Sequence, residues 1–223
     1  MAPLDTAGWA HNGSGEIVNG QTRSPKGDSA FFKHAQELQG GDVWRMRVEG
    51  GGLASVGFAA ESFDVEQHVE TIKSTAWVRL SDGTTLINSD ISTDGQHHTH
   101  PDHLKDYIPK TLPYDLALRI SKDGNMPQVR FNEEGQWHDF APEGETGLKA
   151  GPWFPYLELY PGARLSDHRV NRPRPVKGAG MKKSLAPSAA PASDGAGAAD
   201  GNDDDSSLPP QKKARHDEAG GSK

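Results

Sequence analysis

The chain has 223 residues, no cysteine and a formal net charge of −7. Only 33% of the residues are hydrophobic, which is less than most compact domains contain. The missing cysteines argue against a disulfide-stapled scaffold and favour a reducing compartment. No stretch approaches the roughly 20 apolar residues that a membrane span needs, and no apolar leader opens the chain, so we expect a soluble intracellular protein.

The composition changes near Val170. Before it, apolar clusters recur every ten to fifteen residues, whereas residues 171–223 are mainly Ala, Gly, Ser, Pro, Asp and Lys. We therefore expect a folded domain followed by a disordered, low-complexity tail. The tail holds nine of the 24 Lys and Arg and seven of the 31 Asp and Glu, which leaves 15 basic and 24 acidic residues in residues 1–170. An acidic domain argues against nucleic acid as the partner.

The first 40 residues form a lead-in that we assign to the same domain. Residues 16–18 (EIV) indicate a short strand that Asn19-Gly20 closes. Residues 29–38 (SAFFKHAQEL) show one apolar face at helical spacing and end before Gly40-Gly41. This pattern predicts a short helix.

Residues 41–170 read as short strands bounded by Gly, Asp, Asn or Pro. Residues 43–48 (VWRMRV) alternate, residues 54–59 form the next strand, and residues 77–80 and 84–87 flank Asp82-Gly83 as a hairpin. Three strands follow as a meander over 116–120, 128–131 and 137–140, with four side chains facing inward: Leu118, Ile120, Val129 and Phe131. Residues 153–160 (WFPYLELY) are the most apolar run, where Pro155 indicates an edge or a strand start, and residues 163–170 supply a last strand. The spacing predicts an all-β antiparallel sandwich or barrel.

In order, these strands resemble the SPRY domain, a concanavalin A-like sandwich. The similarity lies in residues 42–48 (DVWRMRV), 55–59 (SVGFA), 116–135, and 151–159 (GPWFPYLEL), and it spans residues 42–170. The chain departs from the family at its start, Gly41-Asp42-Val43, and in a long insertion over residues 89–110. The resemblance implies a SPRY-like jelly roll that recognises a peptide or protein partner through loops at one end. Residues 61–70, 90–110 and 142–153 are the candidate loops.

Aromatic side chains are candidates for the partner-binding surface because they often anchor interfaces. We assign Trp44 and Trp77 to the core, as large rings in a sandwich usually fill it. The remaining candidates are Trp137, His138, Trp153 and Tyr156. Carbohydrate binding is the alternative hypothesis, because the same architecture serves lectins.

Residues 97–103 (HHTHPDH) are the most unusual stretch of the chain. The imidazoles of His97, His98, His100 and His103 are candidate ligands for zinc or copper. A solvated His-rich loop and a group that titrates near pH 6 are the alternatives. Neither cysteine nor a second cluster of known spacing completes a metal site, so we expect no cofactor.

Catalysis finds little support in the sequence. A glycan hydrolase needs two carboxylates about 5–10 Å apart, yet Glu158 is the only acid of its strand and Glu133-Glu134 sits in a predicted turn. There is no Gly-x-Ser-x-Gly elbow, phosphate loop or dinucleotide fingerprint. We expect no enzyme, with a glycan-active enzyme as the less favoured alternative.

The tail contains a motif typical of nuclear import. Lys212, Lys213 and Arg215 form a K-K-x-R stretch after Pro209-Pro210, which predicts binding to importin and a nuclear location. A basic patch in a solvated tail of a cytoplasmic protein is the alternative.

Overall fold

A computed structural model describes residues 2–3, 6–18, 20–25, 27–121, 125–145 and 147–172. The chain divides into two units, Met1–Val176 and Lys177–Lys223, and all the described residues belong to the first. The predicted tail, apart from Asn171 and Arg172, and the import motif at Lys212, Lys213 and Arg215 lie outside the described residues.

The described residues are mostly β-strands joined by short turns. The strands are β1 (Ala2–Pro3), β2 (Trp9–His11), β3 (Glu16–Val18), β4 (Gln21–Arg23), β5 (Ala30–His34), β6 (Val43–Val48), β7 (Ala54–Ala59), β8 (Thr75–Arg79), β9 (Thr85–Ile87), β10 (His98–His100), β11 (Tyr114–Ile120), β12 (Pro127–Phe131), β13 (His138–Asp139), β14 (Phe154–Leu159) and β15 (Arg164–Asn171). One short helix, α1 (His68–Thr71), and three 3-10 turns, Thr6–Gly8, Ile72–Ser74 and Lys105–Tyr107, complete the elements. Within the described ranges, no helix is long and apolar enough to cross a membrane.

The strands form two antiparallel sheets. One has the order β13-β12-β11-β6-β15-β4-β3, with β1 also paired to β15, and the other has the order β10-β9-β8-β7-β14-β5-β2. We call them the eight-stranded and the seven-stranded sheet. The prediction of an all-β antiparallel sandwich is confirmed, as are the hairpin, now β8 and β9, and the meander, now β11 to β13.

The main core lies between the two sheets. Alternation in β6 and β12 turns every second side chain inward, as expected for strands with one covered face. Trp44 is fully buried there, and the four inward-facing residues predicted in the meander, Leu118, Ile120, Val129 and Phe131, belong to the same core.

A second, smaller cluster covers part of the outer face of the seven-stranded sheet. Its buried members are Phe31, Ala59, Phe63, Val65, Trp77 and Tyr156. We call it the outer cluster. Trp77 is buried as predicted, but it packs in this cluster instead of between the sheets. Phe63 and Val65, from the segment that follows β7, cover this face of the sheet.

The predicted helix over residues 29–38 is wrong. Residues Ala30–His34 form β5, which pairs with β14 on one side and with β2 on the other. Adjacent side chains of a strand point to opposite faces. Phe32 therefore enters the main core while Phe31 joins the outer cluster. Two consecutive aromatic residues fit a strand whose sheet is covered on both faces. The helix prediction assumed instead that both rings share one apolar face.

Pro155 shows why the apolar run near the end of the domain tolerates a proline. β14 lies in the interior of its sheet, between β7 and β5. Its pairing with β7 begins at Phe154, whereas its pairing with β5 begins only at Tyr156. Pro155 thus stands at the strand start, ahead of the ladder to β5, where a missing N–H group disrupts least.

Candidate functional site

Three loop segments meet at one end of the seven-stranded sheet. They follow β7, follow β9 and precede β14, and their ends are neighbours because these strands are antiparallel. Together they line a cavity of about 470 Å³, a volume typical of ligand sites. We call it the loop cavity, and its lining residues are Ala60, Glu61, Ser62, Asp90, Ile91, Lys149, Ala150, Gly151, Pro152 and Trp153.

The first loop is anchored by Lys33, which projects from β5. Its Nζ donates hydrogen bonds to the carbonyl oxygens of Glu61, at 2.7 Å, and Phe63, at 2.9 Å. The same ammonium group lies 4.9 Å from the centroid of the Phe154 ring. Burial lowers the pKa of Lys33, while the charges of Glu61 and Asp64 oppose that shift. Lys33 therefore ties this wall of the cavity to the sheet.

The second and third loops are joined by backbone hydrogen bonds. Ser92 and Leu148 form an isolated antiparallel bridge, and the Lys149 N–H donates to the Ile91 carbonyl at 2.7 Å. The Lys149 Nζ also donates to the carbonyl of Asp90 at 2.9 Å. Two segments far apart in the chain thus form one pre-organised wall.

Trp153 and Ile91 supply the buried part of the lining, whereas most of the remaining lining residues are exposed. Trp153 is only 5% exposed, and its backbone carbonyl accepts a hydrogen bond from the Leu38 N–H at 2.7 Å. Glu61 and Asp90 contribute acidic side chains and Lys149 a basic one. An apolar floor with mixed charges at the rim suits a polypeptide ligand, whose recognition combines a buried side chain with polar contacts.

The His-rich segment is partly a strand, although the sequence indicated a loop. His98–His100 form β10, the edge strand beside β9. His98 Nε2 lies 3.0 Å from both carboxylate oxygens of Asp94, and its Nδ1 lies 3.7 Å from Glu145 Oε2. His100 Nε2 lies 3.2 Å from the same Glu145 oxygen. These contacts link the insertion to the loop before β14.

The other two histidines of the segment have partners of their own. His97 Nδ1 lies 3.0 Å from Asn88 Oδ1, and His103 Nε2 lies 3.1 Å from the Asp139 carbonyl. Within the described part of the chain, no group of three or more His, Cys, Asp or Glu side chains is arranged to hold a metal ion. Burial lowers the pKa of His100 and Glu145 opposes that shift. Metal binding by these residues stays a prediction without geometric support.

Trp137 and His138 lie away from the loop cavity, at the β13 edge of the eight-stranded sheet. The guanidinium groups of Arg119 and Arg130 lie 4.1 Å and 4.9 Å from the Trp137 ring centroid. His138 stacks on Tyr107 with ring centroids 3.8 Å apart. Burial lowers the pKa of His138, with a smaller effect of His103 in the same direction. The structure therefore does not join these two candidates to Trp153.

Tyr156 corrects the prediction for the aromatic candidates. Its side chain is fully buried in the outer cluster, so it cannot contact a partner directly. The ring packs edge-on against Phe63 at 5.1 Å, and burial raises its pKa well above the ordinary value. Its place in the site is indirect, because Phe63 belongs to the first loop of the cavity.

Sequence reasoning missed Lys33 and Asn88 as loop-positioning residues. The Asn88 side-chain amide donates to the carbonyl oxygens of Ile72 and Thr75, both at 3.0 Å, and thereby connects the loop after β9 to the start of β8. An Asn directly after a predicted strand is the sequence feature that could have identified Asn88. No sequence feature could have identified Lys33, since its two acceptors lie about thirty residues further along the chain.

Comparisons with known proteins identify the fold. No protein-family model matches the sequence, and no curated protein matches it. The SPRY domain of human HERC1 is similar in structure with a TM-score of 0.51 and 14% sequence identity, covering 73% of this chain and 94% of that one. The TRIM65 PSpry domain has a TM-score of 0.46 at 10% identity, covering 72% and 84%, and the carbohydrate-binding module CBM66 of Bacillus subtilis has 0.45 at 12%, covering 77% and 99%. The likeness to the HERC1 domain shows that the two chains share a β-sandwich fold, and it shows the fold alone.

Proposed function

We propose that this protein is a protein-interaction module that binds a peptide or protein segment in the loop cavity. The observation that carries the proposal is the convergence of the three loops on a cavity of about 470 Å³. Concave sites of this size bury most of the surface of a drug-sized ligand, which is enough room for one or a few side chains of a peptide. Binding sites on loops held by a rigid scaffold are common.

The walls of the cavity support this function because they are held in place before any partner arrives. Lys33 fixes the first loop, and the Ser92–Leu148 bridge joins the other two. Pre-organised loops lose little conformational entropy on binding, which favours affinity. Glu61 and Lys149 at the rim offer charges of both signs to a polypeptide backbone or to side chains.

Carbohydrate binding is the second candidate, because concanavalin A-like sandwiches also serve as lectins and fold does not decide function. A sugar usually needs an exposed aromatic ring to stack on. At the loop cavity the only aromatic lining residue is Trp153, at 5% exposure. The lining therefore favours a peptide over a sugar.

A Gly151→Trp variant of the full chain tests the proposal. Gly151 lines the cavity, and a Cβ atom there would meet nothing within 4 Å, so the backbone accepts a bulky side chain at the cavity without being displaced. We would select binding peptides from a displayed random library with the wild-type protein and then measure their affinities. We expect Gly151→Trp to weaken binding by about tenfold or more, because it removes the space for the anchoring side chain.

Gly27→Trp is the matched control. A Cβ atom there also meets nothing within 4 Å, and Gly27 precedes the end of β5 that pairs with Leu159, opposite the cavity end of β14. Its affinities should equal those of the wild type. Peptides that bind Gly151→Trp as tightly as wild type would contradict the site. Sugars bound on a glycan array, with no peptide selected, would favour the lectin hypothesis.

Nuclear location is a separate part of the proposal and depends on the tail motif at Lys212, Lys213 and Arg215. We expect a Lys212→Ala, Lys213→Ala variant, fused to a fluorescent protein, to leave the nucleus. An unchanged distribution would remove the basis for importin as a partner and favour the cytoplasm.

A further inference from the structure

The outer face of the eight-stranded sheet carries a row of arginines that run across four neighbouring strands. Arg169 on β15 pairs with Arg45 on β6, and Arg45 pairs with Ala117 on β11. Ala117 in turn pairs with Arg130 on β12. Residues that pair directly across strands point to the same face. The three guanidinium groups therefore project from one surface, with a small side chain between two of them.

Two more arginines extend this row along the strands. Arg47 lies two residues after Arg45, and Arg119 lies two residues after Ala117, which places both on the same face. We call the five residues Arg45, Arg47, Arg119, Arg130 and Arg169 the arginine face. They are five of the eight arginines in residues 1–170, in a domain where acidic residues outnumber basic ones 24 to 15. Such a concentration is not what an evenly mixed surface would produce.

Acidic neighbours balance part of this charge. Three arginines have carboxylate partners, in the pairs Arg45–Glu133 at 3.1 Å, Arg47–Asp115 at 3.5 Å and Arg169–Asp167 at 3.7 Å. Arg119 donates to the amide oxygen of Gln128 at 2.6 Å, with the charge of Asp139 nearby. The acidic partners are half-exposed or more. Exposed ion pairs contribute little free energy, so carboxylates of a ligand can replace them.

The centre of the face is the least balanced part. The Nε atoms of Arg45 and Arg130 are buried and have no hydrogen-bond partner among the described residues, and no described carboxylate forms an ion pair with Arg130. Burial lowers the pKa of Arg130, the charges of Arg45 and Arg119 add to that effect, and the charge of Glu133 opposes it. Burying a donor that lacks an acceptor is costly, and an anion over Ala117 would lie between the guanidinium groups of Arg45 and Arg130.

We propose that the arginine face binds an acidic peptide segment of a partner protein, whose side-chain carboxylates lie across the row from Arg169 to Arg130. Guanidinium groups pair with carboxylates in a bidentate way. The row crosses three strand spacings, or about 14 Å, which an extended peptide covers with about four residues. A ligand with several carboxylates therefore fits the row better than a single small anion does.

The position of Trp137 favours an acidic peptide over a nucleic acid. Single-stranded nucleic acids bind by stacking bases on open aromatic rings. The Trp137 ring already has the guanidinium groups of Arg119 and Arg130 over it, so it positions these arginines instead of receiving a base. The excess of acidic residues in the domain also opposes a long polyanion.

Fluorescence anisotropy of a labelled ten-residue polyglutamate with the full-length protein tests the proposal, with ten-residue polyglutamine as the uncharged probe. We expect polyglutamate to bind and its affinity to fall with salt, while polyglutamine does not bind. An Arg45→Gln, Arg130→Gln variant should bind about tenfold more weakly, because two charge-assisted contacts are lost. Equal binding by this variant would overturn the proposal.

Three controls separate the face from other charges. A Lys73→Gln, Arg79→Gln variant removes the same net charge from positions outside the eight-stranded sheet and should bind as the wild type does. The Lys212→Ala, Lys213→Ala variant should also keep its affinity, and a loss there would assign the binding to the tail. Tighter binding of a ten-residue oligothymidine than of polyglutamate would overturn the proposal in favour of nucleic acid. Thermal unfolding would verify that each variant is folded.

Gly151→Trp distinguishes this surface from the loop cavity. It blocks the cavity and leaves the eight-stranded sheet unchanged, so polyglutamate affinity should stay at the wild-type value. The two proposals can therefore fail independently of each other.

Discussion

The two sheets differ in how many of their faces are covered. The seven-stranded sheet packs the main core on one face and the outer cluster on part of the other, and all six residues of β7 are buried. Within the described part of the chain, the eight-stranded sheet is covered on its inner face alone, and β6 accordingly alternates between buried and half-exposed residues. A strand with two covered faces reads as a continuous apolar run, and a strand with one covered face alternates.

This difference separates two kinds of surface. On the seven-stranded sheet the segment after β7 serves both as a cover, through Phe63, and as a wall of the loop cavity, through Glu61 and Ser62. On the eight-stranded sheet, no such segment among the described residues covers the strands at the arginine face. The loops proposed to bind a partner and the open charged face thus arise from one architecture, according to which sheet receives an extra layer.

The largest expected effect on stability comes from replacing a phenylalanine by alanine, once in the main core and once in the outer cluster. Phe58 is fully buried in the main core, and Phe63 is 3% exposed in the outer cluster. We expect Phe58→Ala to lower the free energy of unfolding by about 3–5 kcal/mol. Phe63→Ala should cost less, about 1–3 kcal/mol, because a loop can collapse onto the space that remains. Urea denaturation of both variants measures the difference, and equal losses would mean that the outer cluster is as rigid as the core.

The next effect concerns a histidine of the main core. His168 is buried against Trp9 and Trp44, with Thr22 Oγ1 at 3.3 Å from its Nε2. Burial lowers its pKa from 6.5 to about 3, and the charge of His34 adds to this. The unfolded chain therefore binds a proton below pH 6.5 that the folded domain does not. The contribution of this group to stability is complete above pH 6.5 and falls by about 1.4 kcal/mol per pH unit as the pH drops towards 3.

Denaturation midpoints between pH 7.5 and pH 4.5 test this dependence. The His168→Gln variant should lose less stability on acidification than the wild type does, whatever its stability at pH 7.5. His11→Gln, at a half-buried position on β2, is the control and should keep the wild-type slope. Parallel pH curves for wild type and His168→Gln would refute the assignment.

The smallest expected change in stability comes from removing a buried hydroxyl group in the outer cluster. The Tyr156 hydroxyl and the Trp77 Nε1 are buried without a hydrogen-bond partner among the described residues. Removing a hydroxyl that has no partner relieves its desolvation, so Tyr156→Phe should leave stability unchanged or raise it by up to about 1 kcal/mol. Tyr114→Phe, at a buried tyrosine of the main core, serves as the comparison. A clear loss of stability in Tyr156→Phe would show that its hydroxyl is satisfied.

Much of the fold was predictable from the chain because strand patterns are local. The alternation of residues 43–48 and the Asp82-Gly83 turn, where Gly83 has a φ of 73°, each depend on neighbours only. The strands predicted over residues 43–48 and 54–59 are β6 and β7. The link between them contains Gly52, where a Cβ atom would lie 2.2 Å from the Ala163 backbone nitrogen. The prediction failed at Phe31 and Phe32, where the pattern of one strand depends on covers supplied from elsewhere.

The candidate surfaces were less predictable. Parts of the three candidate loops, residues 61–70, 90–110 and 142–153, line the loop cavity. The sequence also grouped Tyr156 with the candidate binding residues, although β14 is an interior strand. The sequence identified Trp137 as a candidate binding residue but did not group the arginines around it with it. Arg45 and Arg169 become neighbours only through the pairing of β6 with β15.

By itself, the sequence determined the all-β class, the turns and the inward side of the alternating strands, since these follow from a side-chain period of two. Only the tertiary structure decided which sheet is covered twice, which loops share a cavity and which arginines form one row. These features depend on cross-strand register between segments far apart in the chain, and no local pattern encodes that register.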